Sequence, residues 1–268
     1  LFGVALIGIG VVGSLVTYPI SAKSISKEET FAAKDIKQLE IKSGNAKVAL
    51  LPTKGQDIKV VAEGNFDQLL TDVTGNTLSV HMKERRFGVN FFGKQTTLTI
   101  HVPKQDYEAF HVKNSNGSVI IKDLEVNHIQ VEVDNGKVML EQVTAEHIHG
   151  ETDNGNIQLE EVKAKTVAVE TDNGRISLSE VEGELIGEAN NGSITLNTKH
   201  LDRSIQFKTN NGRITIHSEE KPTNAVLDLK TKNGKIIVFD ESDWDTVIGQ
   251  GDHLVKLSTK NGRITISH

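Results

Sequence analysis

The chain has 268 residues and a formal net charge of −6, a balance that gives no electrostatic reason to expect nucleic-acid binding. It contains no cysteine, so lipid attachment through an N-terminal thiol is not expected, and only 4% aromatic residues. Such a composition suits a thin core of Val, Ile and Leu better than a bulky globular one.

Residues Leu1 to Ala22 carry no charge. Their length is borderline between the apolar core of a signal peptide and a membrane-spanning helix, which needs about 20 residues. No convincing small-x-small cleavage site follows, so the segment reads as an uncleaved transmembrane or signal-anchor helix over 1–22. A basic flank on the cytoplasmic side would leave the rest of the chain outside the cytoplasmic membrane. Residues 23–37 are polar and rich in Lys and Glu and read as a tether.

Residues 38–109 read as an irregular N-terminal β cap. LEIKSGNAKVAL alternates apolar and polar residues on both sides of Asn45, and further strands are expected at 57–62, 77–82 and 96–102, the last closing on Pro103. An array of β-coils needs such a cap because an unprotected end exposes its apolar face and strand edge. Within the cap, KERRFGVNFFGK gathers Arg85, Arg86, Phe87, Phe91 and Phe92. One reading is a hairpin loop folded back over the cap; the other is an exposed aromatic-basic loop that touches anionic lipid or a partner.

Residues 110–268 repeat one unit. In IQVEVDNGKVML the apolar or small positions lie six, four and two residues before Asn135 and three and five after it, a period of two on each side of a turn and the signature of strands with one buried face. The turn recurs at Asn116-Gly117, Asn135-Gly136, Asn154-Gly155, Asn173-Gly174, Asn191-Gly192, Asn211-Gly212, Asn233-Gly234 and Asn261-Gly262, with glycine-to-glycine steps of 19, 19, 19, 18, 20, 22 and 28. A period near 20 marks a repeat architecture. Asn-Gly suits a turn that needs positive φ; asparagines at equivalent positions of stacked coils can also form a hydrogen-bonded ladder.

An antiparallel meander and a β-solenoid could both use the unit. The stretch after each second strand has no turn dipeptide comparable to Asn-Gly, which favours an all-β, single-domain solenoid of about nine Asn-Gly coils, each stacked on its predecessor at about 4.8 Å. Leu124, Val143, Val162 and Val181 add an apolar position after the second strand and suggest a third side to the coil. Asp134, Asp153 and Asp172 before the turns, and Lys137, Arg175, Arg213, Lys235 and Arg263 after them, are expected to pair across turns and coils. The segment Phe239 to Asp252 holds Trp244, the only tryptophan, among acidic residues; it reads as a bulge packed by its Trp or as a cation or ligand loop.

Catalytic signatures are missing: there is no nucleophile elbow, phosphate-binding loop or dinucleotide fingerprint, and His147 with His149 is too little for a metal site. No catalytic residue, cofactor or metal is therefore expected. A polysaccharide-active β-helix enzyme is the main rival to a binding role, and a polymerising scaffold is a third reading.

The apolar N-terminal segment, the opening L-x-I-x-S-G-N-A-x-V, the strand TLTIHVP and the run of Asp/Asn-Asn-Gly units together resemble a bacterial adhesin family of unknown function, within it the LiaG-like membrane-anchored proteins of Gram-positive bacteria. The resemblance implies a β-solenoid at the outer face of the cytoplasmic membrane, with a role in envelope homeostasis, stress response or adhesion. The first reading is then a non-enzymatic protein that displays its coil faces to an envelope partner such as a cell-wall polymer or a membrane sensor protein. No catalytic residue is carried over, because the shared motifs specify an architecture.

Overall fold

A computed structural model describes residues 25–84 and 95–268. The expected anchor over 1–22 and the loop holding Arg85, Arg86, Phe87, Phe91 and Phe92 lie outside the described residues. Among those residues no helix is long and apolar enough to cross a membrane. The described residues are all-β apart from one 3-10 turn at Ala33–Asp35.

The strands are β1 (Ile25–Ala32), β2 (Gln38–Ser43), β3 (Lys47–Thr53), β4 (Asp57–Gly64), β5 (Phe66–Thr74), β6 (Thr77–Glu84), β7 (Thr97–Pro103), β8 (Ala109–Lys122), β9 (Glu125–Glu141), β10 (Thr144–Thr198), β11 (Ile205–Asn211), β12 (Ile214–Ser218), β13 (Ala225–Asn233), β14 (Ile236–Val238), β15 (Val247–Ile248), β16 (His253–Asn261) and β17 (Ile264–Ser267). From β8 to β17 each coil is an extended arm, a corner at the Asn-Gly, and a second extended arm. Equivalent arms pair in parallel, so that Asn116 faces Asn135 and Asn135 faces Asn154. This is the solenoid expected from the period, and a hairpin meander is excluded because its sequential strands would pair antiparallel.

The core lies inside the corner and is built as columns. Val119, Val138, Ile157, Ile176, Ile194, Ile214 and Ile264 stand at one position of successive coils, and all are fully buried. Ile121, Leu140, Leu159, Leu178, Leu196, Ile216 and Ile266 form the next column inward along the same arm. Burying one such side chain stabilises by about 1.5–3 kcal/mol, and stacking like on like lets a short repeat build one continuous core. The additional apolar positions Leu124, Val143, Val162 and Val181 are also buried. Each follows a residue with φ near 50°, namely Asp123, Gln142, Glu161 and Glu180. That left-handed residue turns the chain from one coil into the next, so the second corner is made without glycine.

The coils do not follow chain order at either end, contrary to the expectation that each stacks on its predecessor. The final coil, β16 and β17, lies between two earlier ones: β16 pairs with β11 on one side and β13 on the other, and β17 pairs with β12 and β14. At the opposite end β2 lies between β6 and β8, while β3 pairs with both β7 and β8. The first and last coils of the repeat are thus each held between coils formed by residues nearer the middle of the chain.

Beyond those coils the ends are closed by antiparallel pairing. β4 pairs with β7, β1 with β4, and β5 with β6. The 23–37 segment is therefore a tether only in part: from Ile25 it is a strand on β4, with Lys59 bonded to Glu28 at 2.8 Å and Phe31 packed on the core. Its charged residues disguise it because it is an edge strand with little buried surface. The segment 239–252 carries the chain outward past β13 and back. It lays β15 antiparallel on the first two residues of β13, and Trp244 packs against the core.

Candidate functional site

The Asn-Gly corners stand in a single file. Each side-chain amide donates from Nδ2 to Oδ1 of the next asparagine in the order 116 to 45, 135 to 116, 154 to 135, 173 to 154, 191 to 173, 211 to 191, 261 to 211 and 233 to 261, at 2.7–3.0 Å. Nine asparagines thus make one exposed ladder, and their order repeats the rearrangement of the final coil. Identical amides a rung apart can each donate and accept along one line, which apolar or acidic side chains cannot do.

The glycines beside them have a different cause from the one expected. Positive φ in the left-handed region occurs at Gly117 and Gly136 but not at Gly155, Gly174, Gly192, Gly212, Gly234 or Gly262, and none of the asparagines has it. What requires glycine is the neighbouring coil. A Cβ on Gly136, Gly155, Gly174, Gly192, Gly212, Gly234 or Gly262 would lie 1.5–1.8 Å from the carbonyl oxygen of the adjacent glycine. At four corners the residue two before the Asn supports this close approach. Thr171, Thr209, Thr259 and Thr231 donate their hydroxyls to the carbonyls of Gly155, Gly192, Gly212 and Gly262 at 3.2–3.4 Å. In the sequence these threonines read only as small inward residues; their hydroxyls satisfy carbonyls that the corner turns away from strand partners.

Charges pair between coils, but not at the corners. Among the described residues no ion pair involves Asp134, Asp153 or Asp172, nor Lys137, Arg175, Arg213, Lys235 or Arg263; the inter-coil pairs are Lys113–Glu132 and Lys208–Glu188 at 2.8 Å, Lys163–Glu182 at 3.4 Å, and Lys122–Glu141 and Lys165–Glu146. The hydrogen bond and charge of Lys113 hold the Glu132 carboxyl below the usual carboxylate range. Asp172 instead accepts from Asn190 at 3.2 Å, and Asn210 donates on to Asn190.

The outward side of the second arms is the most distinctive surface. Over the five rungs marked by Asn173, Asn191, Asn211, Asn261 and Asn233, its outward positions run Arg175, Ser177 and Ser179; Ser193, Thr195 and Asn197; Arg213, Thr215 and His217; Arg263, Thr265 and Ser267; and Lys235 and Ile237. In a chain with 36 acidic residues none falls on these fourteen positions, so the four cations, all exposed, have no carboxylate beside them on this face. Short Ser193 between Arg175 and Arg213 leaves a hollow of about 680 Å³, which adjoins a second of about 480 Å³ lined by Arg213, Thr215, Arg263 and Thr265. Ser267 is 2.9 Å from Nδ1 of His217 on the adjacent rung. The surface can hold anions; it presents no carboxylate to act as acid or base.

His147 stacks on His128 at 5.3 Å, and among the described residues no three His, Cys, Asp or Glu side chains converge on a metal position. In the 239–252 segment the acidic residues face solvent, while Asn224 holds the return of the chain, accepting from the amides of Gln250 and Asp252 at 3.1 Å.

The fold has counterparts among solved structures. It is similar to that of a putative adhesin from Bacteroides fragilis NCTC 9343, with 17% identity over 92% of this chain and 98% of that one and a TM-score of 0.55. A putative lipid binding protein from Parabacteroides distasonis ATCC 8503 matches with 15% identity over 92% and 98% of the two chains, at a TM-score of 0.48. At such identities the likeness concerns the fold alone. No functionally curated protein matches the sequence. The model of the family Toastrack DUF4097 matches residues 36–267, and the chain belongs to that family.

Proposed function

We propose that the protein is a non-enzymatic binding protein of the cell envelope: a single-pass protein of the cytoplasmic membrane, anchored through residues 1–22, whose β-stack stands on the extracytoplasmic side and engages a cell-wall polymer or a membrane sensor protein. The LiaG-like resemblance supports a role in envelope homeostasis, stress response or adhesion. The observation that carries the binding reading is the in-register ladder. It repeats the same outward side chains every rung, about 4.8 Å apart, so a partner with repeating units meets the same contact several times, and weak contacts combine into useful affinity.

The test is retention of the full chain, reconstituted in phosphatidylcholine nanodiscs, on purified cell-wall material, with reducing-sugar release followed in the same tubes. Retention without sugar release is expected. Sugar release would replace this reading with a polysaccharide-active enzyme and direct attention to Glu132, Lys113 and His111, which line a smaller hollow of about 200 Å³.

A further inference from the structure

Building on that reading, we propose that the outward stripe Arg175, Arg213, Arg263 and Lys235 is a binding site for a linear polyanion bearing phosphate or carboxylate groups. The rungs run 173, 191, 211, 261, 233, so the stripe has cations on the first, third, fourth and fifth and spans roughly 19 Å at about 4.8 Å per rung. Arg213, Arg263 and Lys235 fall on three adjacent rungs, and the entry of the final coil between its two predecessors sets Arg263 in the middle of the three. In chain order Arg263 would have stood at the end of the stack.

An ordinary solvated face would mix its charges. The same side of the preceding rungs carries Glu141 and Glu160, and on the other arm Lys113 and Lys208 are each matched by a glutamate of the adjoining coil. Here the cations are uncompensated. Lys232 and Lys260, exposed on the other side of the same corners and also without an ion pair among the described residues, extend the positive field. Guanidinium groups bind phosphate and carboxylate through paired N–H donors, and the threonines between them offer hydroxyls to the same oxygens.

The stripe is narrow, follows the stack and lies over two hollows walled by Ser, Thr and Gly, with no exposed aromatic along Arg175 to Arg263 to enter a bilayer. That favours an extended polymer over a lipid surface.

The test compares the full chain in phosphatidylcholine nanodiscs with Arg213→Gln/Arg263→Gln/Lys235→Gln and with a charge-matched control, Lys34→Gln/Lys54→Gln/Lys104→Gln, whose lysines are exposed elsewhere. The probes are poly(glycerol phosphate), polygalacturonate, neutral dextran, phosphatidylglycerol vesicles and the purified wall material. The expected result is salt-sensitive binding of at least one polyanion over dextran, weakened about tenfold by the stripe variant, since three exposed ion pairs each contribute a few-fold, and kept by the control. Which polyanion binds distinguishes phosphate from carboxylate.

Equal loss in the control, equal binding of dextran, or binding of the vesicles alone would overturn the site. So would wall retention that the stripe variant leaves unchanged, although the envelope-binding reading would then stand. Failure of the unsubstituted chain to bind wall material or either polyanion would overturn both.

Discussion

The middle of the molecule and its two ends are built from the same unit by different rules. Between Ala109 and Thr198 each coil lies on the one before it, 18 or 19 residues earlier, and the corner Asn-Gly pairs and the inward apolar columns of the second arms meet their own kind across the gap. At the ends the chain overshoots and returns, and the first and last coils are enclosed by coils that are nearer the middle in sequence. The repeat thus decides what a coil looks like and how it registers with a neighbour. It does not decide which neighbour.

The largest expected effect follows from enclosure. Removing 253–268 from a sequential stack would cost one terminal coil, but here it also takes the shared partner from β13 and β14. Val255, Leu257, Ile264 and Ile266 are fully buried, so the loss should be about 6 kcal/mol or more at 1.5–3 kcal/mol each. Hydrogen exchange should then show loss of protection over 225–238 as well as loosening of 205–218. Protection retained over 225–238 would mean that the outer coil does not depend on the final one.

Next come glycines compared between middle and end. Gly174→Ala should cost about 3 kcal/mol or more, because its methyl would meet the Gly155 carbonyl in a coil held from both sides. Gly234→Ala meets the Gly262 carbonyl equally closely, but its coil is outermost and can move away, so about 1 kcal/mol is expected. Chemical denaturation gives both values, and equal costs would remove the distinction between enclosed and outer coils.

The asparagine ladder should show the same graded response more weakly. Asn173 has two ladder bonds and Asn233 one. At about 0.5–1.5 kcal/mol per hydrogen bond, toward the low end for exposed groups, Asn173→Ala should lower stability by about 1–2 kcal/mol and Asn233→Ala by about half as much.

The smallest effect concerns acid. Burial pushes the Asp202 carboxyl up, but hydrogen bonds from the Thr223 hydroxyl and from the amides of Asn224 and Thr223 outweigh it and leave its pKa lowered. A lowered folded pKa contributes stability that is full above the unfolded value, near 3.8, and is lost as pH falls through the folded value. Tm of Asp202→Asn should therefore fall less steeply than that of the unsubstituted chain below about pH 4. Parallel profiles would show that the carboxylate does not hold the approach to β13.

Much of the middle was legible in the sequence, because a coil's arms are local and their period-two pattern places Val138 and Leu140, or Ile176 and Leu178, on one face without knowledge of any partner. The asparagine ladder was legible for the same reason. The glycines were legible as positions but not as causes: Asn-Gly satisfies a positive-φ turn and a carbonyl stacked on it equally well, and only the neighbouring coil tells them apart. The second corner was hidden because three of its four left-handed residues, Gln142, Glu161 and Glu180, are not turn-forming types, yet they adopt the left-handed conformation when strand pairing on both sides fixes it. Rung order was not readable at all. The arms ending at Asn211, Asn233 and Asn261 carry the same pattern and could stack in any order, and the connections 219–224 and 239–252 decide among them. The basic stripe was hidden for a related reason: its residues were visible singly, as supposed partners of the corner aspartates, and only the parallel stacking of the coils lines them up.

That order is the claim on which the account rests, and the absence of cysteine from the chain makes it directly measurable. Thr215, Thr265 and Ile237 occupy equivalent outward positions, with Thr265 paired to each of the other two. Cysteines introduced in pairs should oxidise readily for Thr215→Cys/Thr265→Cys and for Thr265→Cys/Ile237→Cys, with Cα atoms about one rung apart, and not for Thr215→Cys/Ile237→Cys, two rungs apart and beyond disulfide reach. Efficient oxidation of the 215/237 pair, with none for 215/265, would restore a stack in chain order and contradict the enclosure of the final coil.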